Sequence, residues 1–460
     1  MPNCFYLPDR VTARADARVN NDTVRDLFRG FSFHRSEMII TPGADNLLVI
    51  GAPAMPTLPN DAEYIIHADE KGLAVAARDH SSLMRGYCAL LQKIEWASEN
   101  GQLLIAPVEE CSAFKIHNRM IHFCVFPETT LLALKRYIRL AGILQYTHVV
   151  LEFWGMLRYD CCSALSWPNA FTKAQIAEVL GEIRNFGMEP IPMFNHLGHA
   201  TASRVLSGKH VVLDQDPSLY PLFTPDGWSF DTDNPKVPEL LRQVRGELYD
   251  LFGQGSYFHA GLDESYMYAN DLKRYAKLPD FLSALTAEIS REGRRPMIWM
   301  DMFLPPRAYG DRKPHACAKR CPADCMSVLS RLSPDTVLVD WQYHDKEAPI
   351  PTSLYLKDKG FDIMGAPWLD VDNGKAHIDT VAKHGLVGVM ETTWHTMARE
   401  AYKILPFARA CGAAKAPWSD HSGPREETAT LLRKLTWEPI TYEDAGWMKH
   451  QITLGAEKEF

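Results

Sequence analysis

From Lys115 onward, a short β-branched or apolar run alternates with a longer amphipathic segment, and the alternation repeats eight times. The runs are Arg119 to Val125, His148 to Phe153, Glu189 to Phe194, Ser256 to Ala260, Arg295 to Asp301, Thr336 to Trp341, Phe361 to Pro367 and Leu386 to Glu391. Strands separated by helix-length segments pair in parallel, because a parallel neighbour is reached only through a crossover. One crossover carries its own start and stop signals. In TKAQIAEVLGEIRNFG, Thr172 and Gln175 have capping-box spacing, Ile176, Val179, Leu180, Ile183 and Phe186 share one face, and Gly187 stands where a helix C-terminus favours glycine. Eight such units in about 300 residues match a closed (β/α)8 TIM barrel better than an open doubly wound sheet, which commonly holds about five or six parallel strands.

The rest of the chain is divided around that core. Residues 1–112 hold short apolar runs, Leu47 to Ile50, Glu63 to Ile66 and Gly72 to Ala77, then a helical stretch from Ser81 to Ile94, and read as a small α+β domain. The barrel is assigned to 113–423, and 424–460, with ETATLLRKL, to a helical C-terminal extension. The fold class is therefore α/β. Of the 460 residues, 46% are hydrophobic and 23% charged, which excludes disorder as the main state. A net charge of −8 without a dense basic run argues against nucleic acid and anionic membranes as partners. MPNCFYLPDR lacks the pattern of an export leader, and ten irregularly spaced cysteines read as reduced thiols, so a cytoplasmic location is expected.

In a barrel of this kind function sits where the strands end and their following loops begin. Those positions carry Phe123 to Phe126, Glu152 to Trp154, Asn195 to His199, His259 to Glu264, Trp299 to Asp301, Trp341 to Tyr343, Trp368 to Asp370 and Glu391 to Trp394. They are rich in carboxylates, histidines and tryptophans and lack a glycine-rich phosphate loop. Just past the fourth run, Asp263 and Glu264 are adjacent. Two carboxylates in an aromatic-lined mouth suit glycoside hydrolysis, where one group protonates the leaving oxygen and another stabilises positive charge at the anomeric carbon. An acidic pair can also simply complement a helix N-terminus. Likewise, His199 and His259 could be core histidines, and Trp299, Trp341, Trp368 and Trp394 could be barrel packing.

HAGLDE resembles the His-x-Gly-x-Asp-Glu signature of glycoside hydrolase family 20, the β-N-acetylhexosaminidases, and other segments follow in that family's order. HNRMIH is similar to the first-strand segment with an arginine for sugar hydroxyls, here Arg119. PIPMFNHLGHA resembles the third-strand segment ending in Gly-His, here His199, and PMIWMDMF the fifth, with Trp299 as a wall of the acetamido pocket. EKGLAVAARDHSSLMRGYCALLQKI is similar to the non-catalytic domain before the family's barrel. The resemblance spans roughly residues 40 to 410. It implies a retaining exo-glycosidase acting on terminal β-linked N-acetylglucosamine or N-acetylgalactosamine. Glu264 is then the acid/base, the substrate's acetamido oxygen the nucleophile, and Asp263 the group stabilising an oxazolinium; His259 falls in the same motif, and Trp341 and Asp370 are further candidate sugar contacts by their place at the strand ends. Neither a metal nor an organic cofactor is required.

Met120 replaces the glycine that usually follows the first-strand arginine, and the sequence departs from the family pattern in three other places. VVLEFWGMLRY lacks His-x-x-Asp, leaving Glu152 as the nearby carboxylate to pair with His199. Trp368 stands where a tyrosine normally donates to the acetamido oxygen, with Tyr343 a substitute. Trp394 is kept, but Thr396 replaces a glutamate that reads outer hydroxyls, so gluco and galacto substrates should differ little. Two rival functions remain, a carbohydrate-binding protein on an altered barrel and a barrel glycosidase with its own carboxylate nucleophile. HACAKRCPADC raises a separate reading, zinc on His315, Cys317, Cys321 and Cys325, although the spacing is not that of a C-x2-C knuckle and Pro322 interrupts a helix face.

Overall fold

The computed structural model describes residues 3–201, 212–306, 309, 312–317, 322–368, 370–394, 397–412 and 423–437. Its first part is built on nine strands, β1 (Phe5–Leu7), β2 (Arg10–Ala15), β3 (Glu37–Pro42), β4 (Leu47–Gly51), β5 (Tyr64–Asp69), β6 (Gly72–Ala77), β7 (Glu95–Ala97), β8 (Gln102–Ile105) and β9 (Val108–Cys111). Six of them form a sheet in the order β3-β2-β4-β6-β5-β9, and β1-β8-β7 form a second. Strand β2 alternates exposed and buried residues along its length, so one face of the sheet is apolar. Helices α1 (Asn21–Phe31) and α2 (His80–Leu91) bury Leu27, Phe28, Leu83 and Tyr87 in the core of this part.

All eight runs are strands: β10 (Asn118–Val125), β11 (His148–Phe153), β12 (Glu189–Met193), β13 (Tyr257–His259), β14 (Arg295–Trp299), β15 (Val337–Asp340), β16 (Asp362–Gly365) and β17 (Gly388–Thr392). They pair in parallel in chain order, and β10 meets β17 to close the barrel. The longer helices of its outer ring are α3 (Leu131–Ile143), α4 (Lys173–Asn185), α5 (Lys236–Phe252), α6 (Leu278–Arg291), α7 (Pro322–Leu329), α8 (Pro351–Asp358), α9 (Val371–His384) and α10 (Ile404–Ala410). Helix α4 starts with the reciprocal Thr172–Gln175 capping box, and Gly187 follows it at φ +71°. Among the described residues, no helix is long and apolar enough to cross a membrane.

Strand alternation sorts the barrel's side chains into two populations. Met120, Val150, Ile191, Met193, Met297, Trp299, Val337, Val339, Met364 and Met390 fill the lumen, while Ile121, Phe123, Val149, Leu151, Ile298 and Leu338 meet the outer helices. The tail helix α11 (Pro424–Lys434) lies across both parts of the molecule. Lys434 Nζ sits 4.7 Å over the Phe31 ring, and the Leu435 carbonyl accepts from Arg139 at 3.0 Å.

Candidate active site

The turn after β13 can exist only with glycine at one position. Gly261 has φ +68°, and a Cβ there would lie 1.6 Å from Asn195 Oδ1. Gly198 is under similar pressure, since its Cβ would fall 1.9 Å from the Asp263 carbonyl oxygen. The two loops are thus pressed together backbone to backbone. Among the described residues, nine non-glycine positions have positive φ, and four are in this mouth: His199, Leu262, Glu264 and Trp394. Each left-handed residue costs on the order of 1–3 kcal/mol, a cost the surrounding packing must carry.

That backbone brings His199 onto both carboxylates. Its Nε2 lies 3.3 Å from Asp263 Oδ2 and 3.2 Å from Glu264 Oε2. Trp228 stands beside the imidazole, with ring centroids 4.5 Å apart, and its Nε1 donates to the Glu264 carbonyl at 2.8 Å. Asp263 is buried at 5% exposure, whereas 34% of the Glu264 side chain remains exposed. One carboxylate is therefore fixed within the wall and its neighbour faces the opening.

A third carboxyl group lies beneath the pair. Asp301 is fully buried, its Oδ2 accepts from the Glu264 backbone N–H at 2.9 Å, and its Oδ1 accepts from Trp341 Nε1 at 3.1 Å. Burial first, and then the charge of Asp263, push its pKa up to about 8. Asp301 closed the fifth run but was not singled out as a site residue. The available signal was its position, two residues beyond Trp299 on a strand with period two. Trp228 and Tyr266 were also missed. Tyr266 packs against Trp228 with centroids 5.8 Å apart, and burial followed by the Glu264 charge raises its pKa above the usual phenol value.

Aromatic residues form the opposite side. Trp394, Trp341, Trp368 and Tyr343 are half-buried. Trp394 Nε1 donates to the Tyr343 hydroxyl at 2.8 Å, which leaves that hydroxyl's own proton available to donate. Tyr343 lies between Trp341 and Trp368, with centroids 5.1 and 5.5 Å away. Trp299 is fully buried, so it backs this wall rather than presenting a face; its ring is 5.7 Å from Trp394 and 4.5 Å from His259. His259 is also fully buried, and its Nδ1 accepts from the Gly261 N–H at 3.1 Å.

Several expectations are corrected. Arg119 is not in the mouth. It lies at the opposite end of the barrel, near the start of β10, and its parity is that of Ile121 and Phe123, so its side chain leaves the lumen. Its guanidinium donates to the carbonyls of Gln145 at 3.0 Å, Ile116 at 2.6 Å and His117 at 3.1 Å, and pairs with Glu63 of the first part at 3.4 Å. Glu152 meets His122 and Asn195 instead of His199, because the β13 turn gives His199 nearer carboxylates. Asp370 lies at the mouth, but its Oδ1 caps α9 and its Oδ2 holds Lys346 at 2.7 Å. Thr396 lies outside the described residues, as does Cys321. Of the remaining proposed zinc ligands, His315 packs on Trp341 in the mouth while Cys325 is buried on α7 beside Tyr275. His315, Cys317 and Cys325 do not assemble; the cluster of ligand-type side chains found among the described residues is His122, Cys124 and Glu152.

No protein-family model and no curated protein matches the chain. Solved structures resemble it. An inactive mutant of the family 20 exo-β-N-acetylglucosaminidase of Vibrio harveyi has a TM-score of 0.66 at 13% identity, covering 99% of this chain and 76% of that one. The family 20 β-N-acetylhexosaminidase of Streptomyces coelicolor has a TM-score of 0.65 at 15% identity, covering 94% and 92%. A mutant β-hexosaminidase of Streptomyces plicatus, in complex with the product N-acetylglucosamine, has a TM-score of 0.66 at 15% identity, covering 96% and 92%. The chain thus has the fold of these proteins, a (β/α)8 barrel preceded by an α+β domain.

Proposed function

We propose that this protein is a retaining exo-β-N-acetylhexosaminidase working by substrate-assisted catalysis. The observation that carries the reading is a single imidazole, His199, bound to two sequence-adjacent carboxylates at the mouth of the barrel. The similar solved structures include one holding N-acetylglucosamine, which supports a sugar of that class here. Adjacent carboxylates cannot comfortably attack one face of a sugar and protonate the other, so the nucleophile is assigned to the substrate's own acetamido oxygen.

In the first step that oxygen bonds to C1 while the C1–O glycosidic bond breaks, and Glu264 gives its proton to the departing oxygen. Asp263 holds the acetamido N–H, and its charge stabilises the oxazolinium as it forms. Tyr343 supplies the donor to the acetamido oxygen. In the second step Glu264 takes a proton from water, the water oxygen bonds to C1, and the acetamide is restored with net retention. The half-buried aromatic wall excludes water from the ring, which strengthens these fixed contacts.

A panel of aryl β-glycosides differing only at C2 tests this. The 2-acetamido substrates should be hydrolysed and a 2-hydroxyl glucoside should turn over negligibly, while a thiazoline mimic should bind far more tightly than the product sugar. Efficient cleavage of the glucoside with a trapped covalent adduct would replace the reading by an enzyme nucleophile. Sugar-dependent tryptophan quenching without release of aglycone would make the protein a binder.

A further inference from the structure

We propose that His122, Cys124 and Glu152 form a binding site for a transition-metal ion of the zinc class. The three alternate inward on neighbouring strands. His122 and Cys124 continue the lumen face begun by Met120, and Glu152 lies directly opposite Cys124 in the β10–β11 register. All three are buried, and their donor atoms lie within 4.8 Å of one another.

The spacing fits a metal as well as a hydrogen-bonded trio. Cys124 Sγ is 3.8 Å from His122 Nε2 and 3.5 Å from Glu152 Oε2, and those two donors are 3.1 Å apart. Zinc bonds of about 2.3 Å to sulfur and about 2.0 Å to nitrogen and oxygen, at tetrahedral angles, put such donors about 3.6, 3.5 and 3.3 Å apart. Each edge agrees within a few tenths of an ångström, before any relaxation of the side chains. The supporting contact is also present. Asn195 Nδ2 donates to Glu152 Oε1 at 2.8 Å, which fixes the carboxylate with Oε2 toward the other donors.

Charge favours the assignment. A thiolate and a carboxylate neutralise a divalent cation, so the loaded centre carries no net charge into a lumen lined above and below by Met120, Trp299 and Trp394. Loading breaks the Cys124 S–H bond, forms the metal–sulfur bond and releases that proton to solvent. The mixed sulfur, imidazole and carboxylate set selects zinc or cobalt over magnesium or calcium, which take oxygen donors. His122 lies 4.9 Å, centroid to centroid, from Trp394. The ion would therefore pin the strands beneath the aromatic wall rather than act on the glycosidic bond.

The test uses the full chain, reduced, tag-free and stripped with a chelator. Cobalt(II) should bind at one equivalent and give a thiolate-to-metal charge-transfer band in the near ultraviolet. Zinc should displace it and release about one proton per ion. C124S should abolish the band, and E152Q should weaken binding at least about tenfold. Crystals of the zinc-loaded native sequence should show an anomalous peak among the three donors, a readout that depends on no variant. A cobalt band that survives in C124S, a peak elsewhere, or no stoichiometric binding would overturn the proposal. None of these outcomes depends on hydrolysis, so they leave the glycosidase reading to its own test.

Discussion

Replacing Asp301 by asparagine should make the protein less stable at low pH and more stable at high pH. Burial and the neighbouring Asp263 raise the Asp301 pKa from 3.8 to about 8. Between those values the native state keeps a proton that the unfolded chain has released, so unfolding free energy falls as pH rises through the window and levels off above pH 8. At about 1.36 kcal/mol per pH unit the full span corresponds to a loss of up to about 6 kcal/mol. An amide in place of the carboxyl does not titrate and escapes that loss. It carries a fixed penalty instead, because Asp301 accepts two N–H groups, from Glu264 and Trp341, and an amide can accept with only one of its two terminal atoms. One mismatched donor costs about 1–3 kcal/mol. D301N should therefore trail the native sequence by up to about that amount near pH 4, cross it between roughly pH 4.5 and 6, and lead by a few kcal/mol at pH 8. Urea unfolding followed by tryptophan fluorescence at half-unit pH steps gives both curves. A difference that stays constant from pH 4 to 8 would refute the reasoning, since the native carboxyl would then titrate as it does in the unfolded chain.

Glu264→Gln should lower kcat by roughly 10² to 10⁴ and more on a natural disaccharide than on an activated aryl glycoside, because only the poor leaving group needs full protonation; equal small losses on both would move the acid elsewhere. Asp263→Asn should lower kcat more than it raises KM for an aryl N-acetylglucosaminide, since its charge acts on the cation formed in the transition state, and a change confined to KM would remove that role. Arg119→Met should cost about 1–3 kcal/mol in thermal or urea unfolding by taking the guanidinium away from three carbonyls, while Glu63 keeps its ion pair with Arg85 at 2.9 Å, yet leave KM unaltered. A KM raised in the folded variant would bring Arg119 back to the sugar.

Local patterning carried the barrel and placed the candidate carboxylates at a strand end. The eight runs are legible because each strand repeats with period two and each helix with period 3.6, and these signals lie within a dozen residues of sequence. The capping box of α4 and the glycine that follows that helix, Gly187, were readable for the same reason, as was the adjacency of Asp263 and Glu264. The strands β1 to β3 and the helix Asn21–Phe31 went unread because their apolar residues are interleaved with charged and exposed ones rather than gathered in a continuous run, although β2 alternates strictly with period two. Which side of a strand a residue takes, and at which end it sits, was decided only on folding. Arg119 and Asp301 show this most directly. A shift of one position in register carries a side chain between lumen and outer helices, and about six residues of strand separate the floor of a barrel from its mouth. Partner choice lay still further from the sequence. His199 took Asp263 and Glu264, 64 and 65 positions later, while Glu152 joined His122, 30 positions earlier. Such pairs are set by closure of the parallel barrel, in which every neighbour is reached through a helix, so no local window of sequence contains both partners.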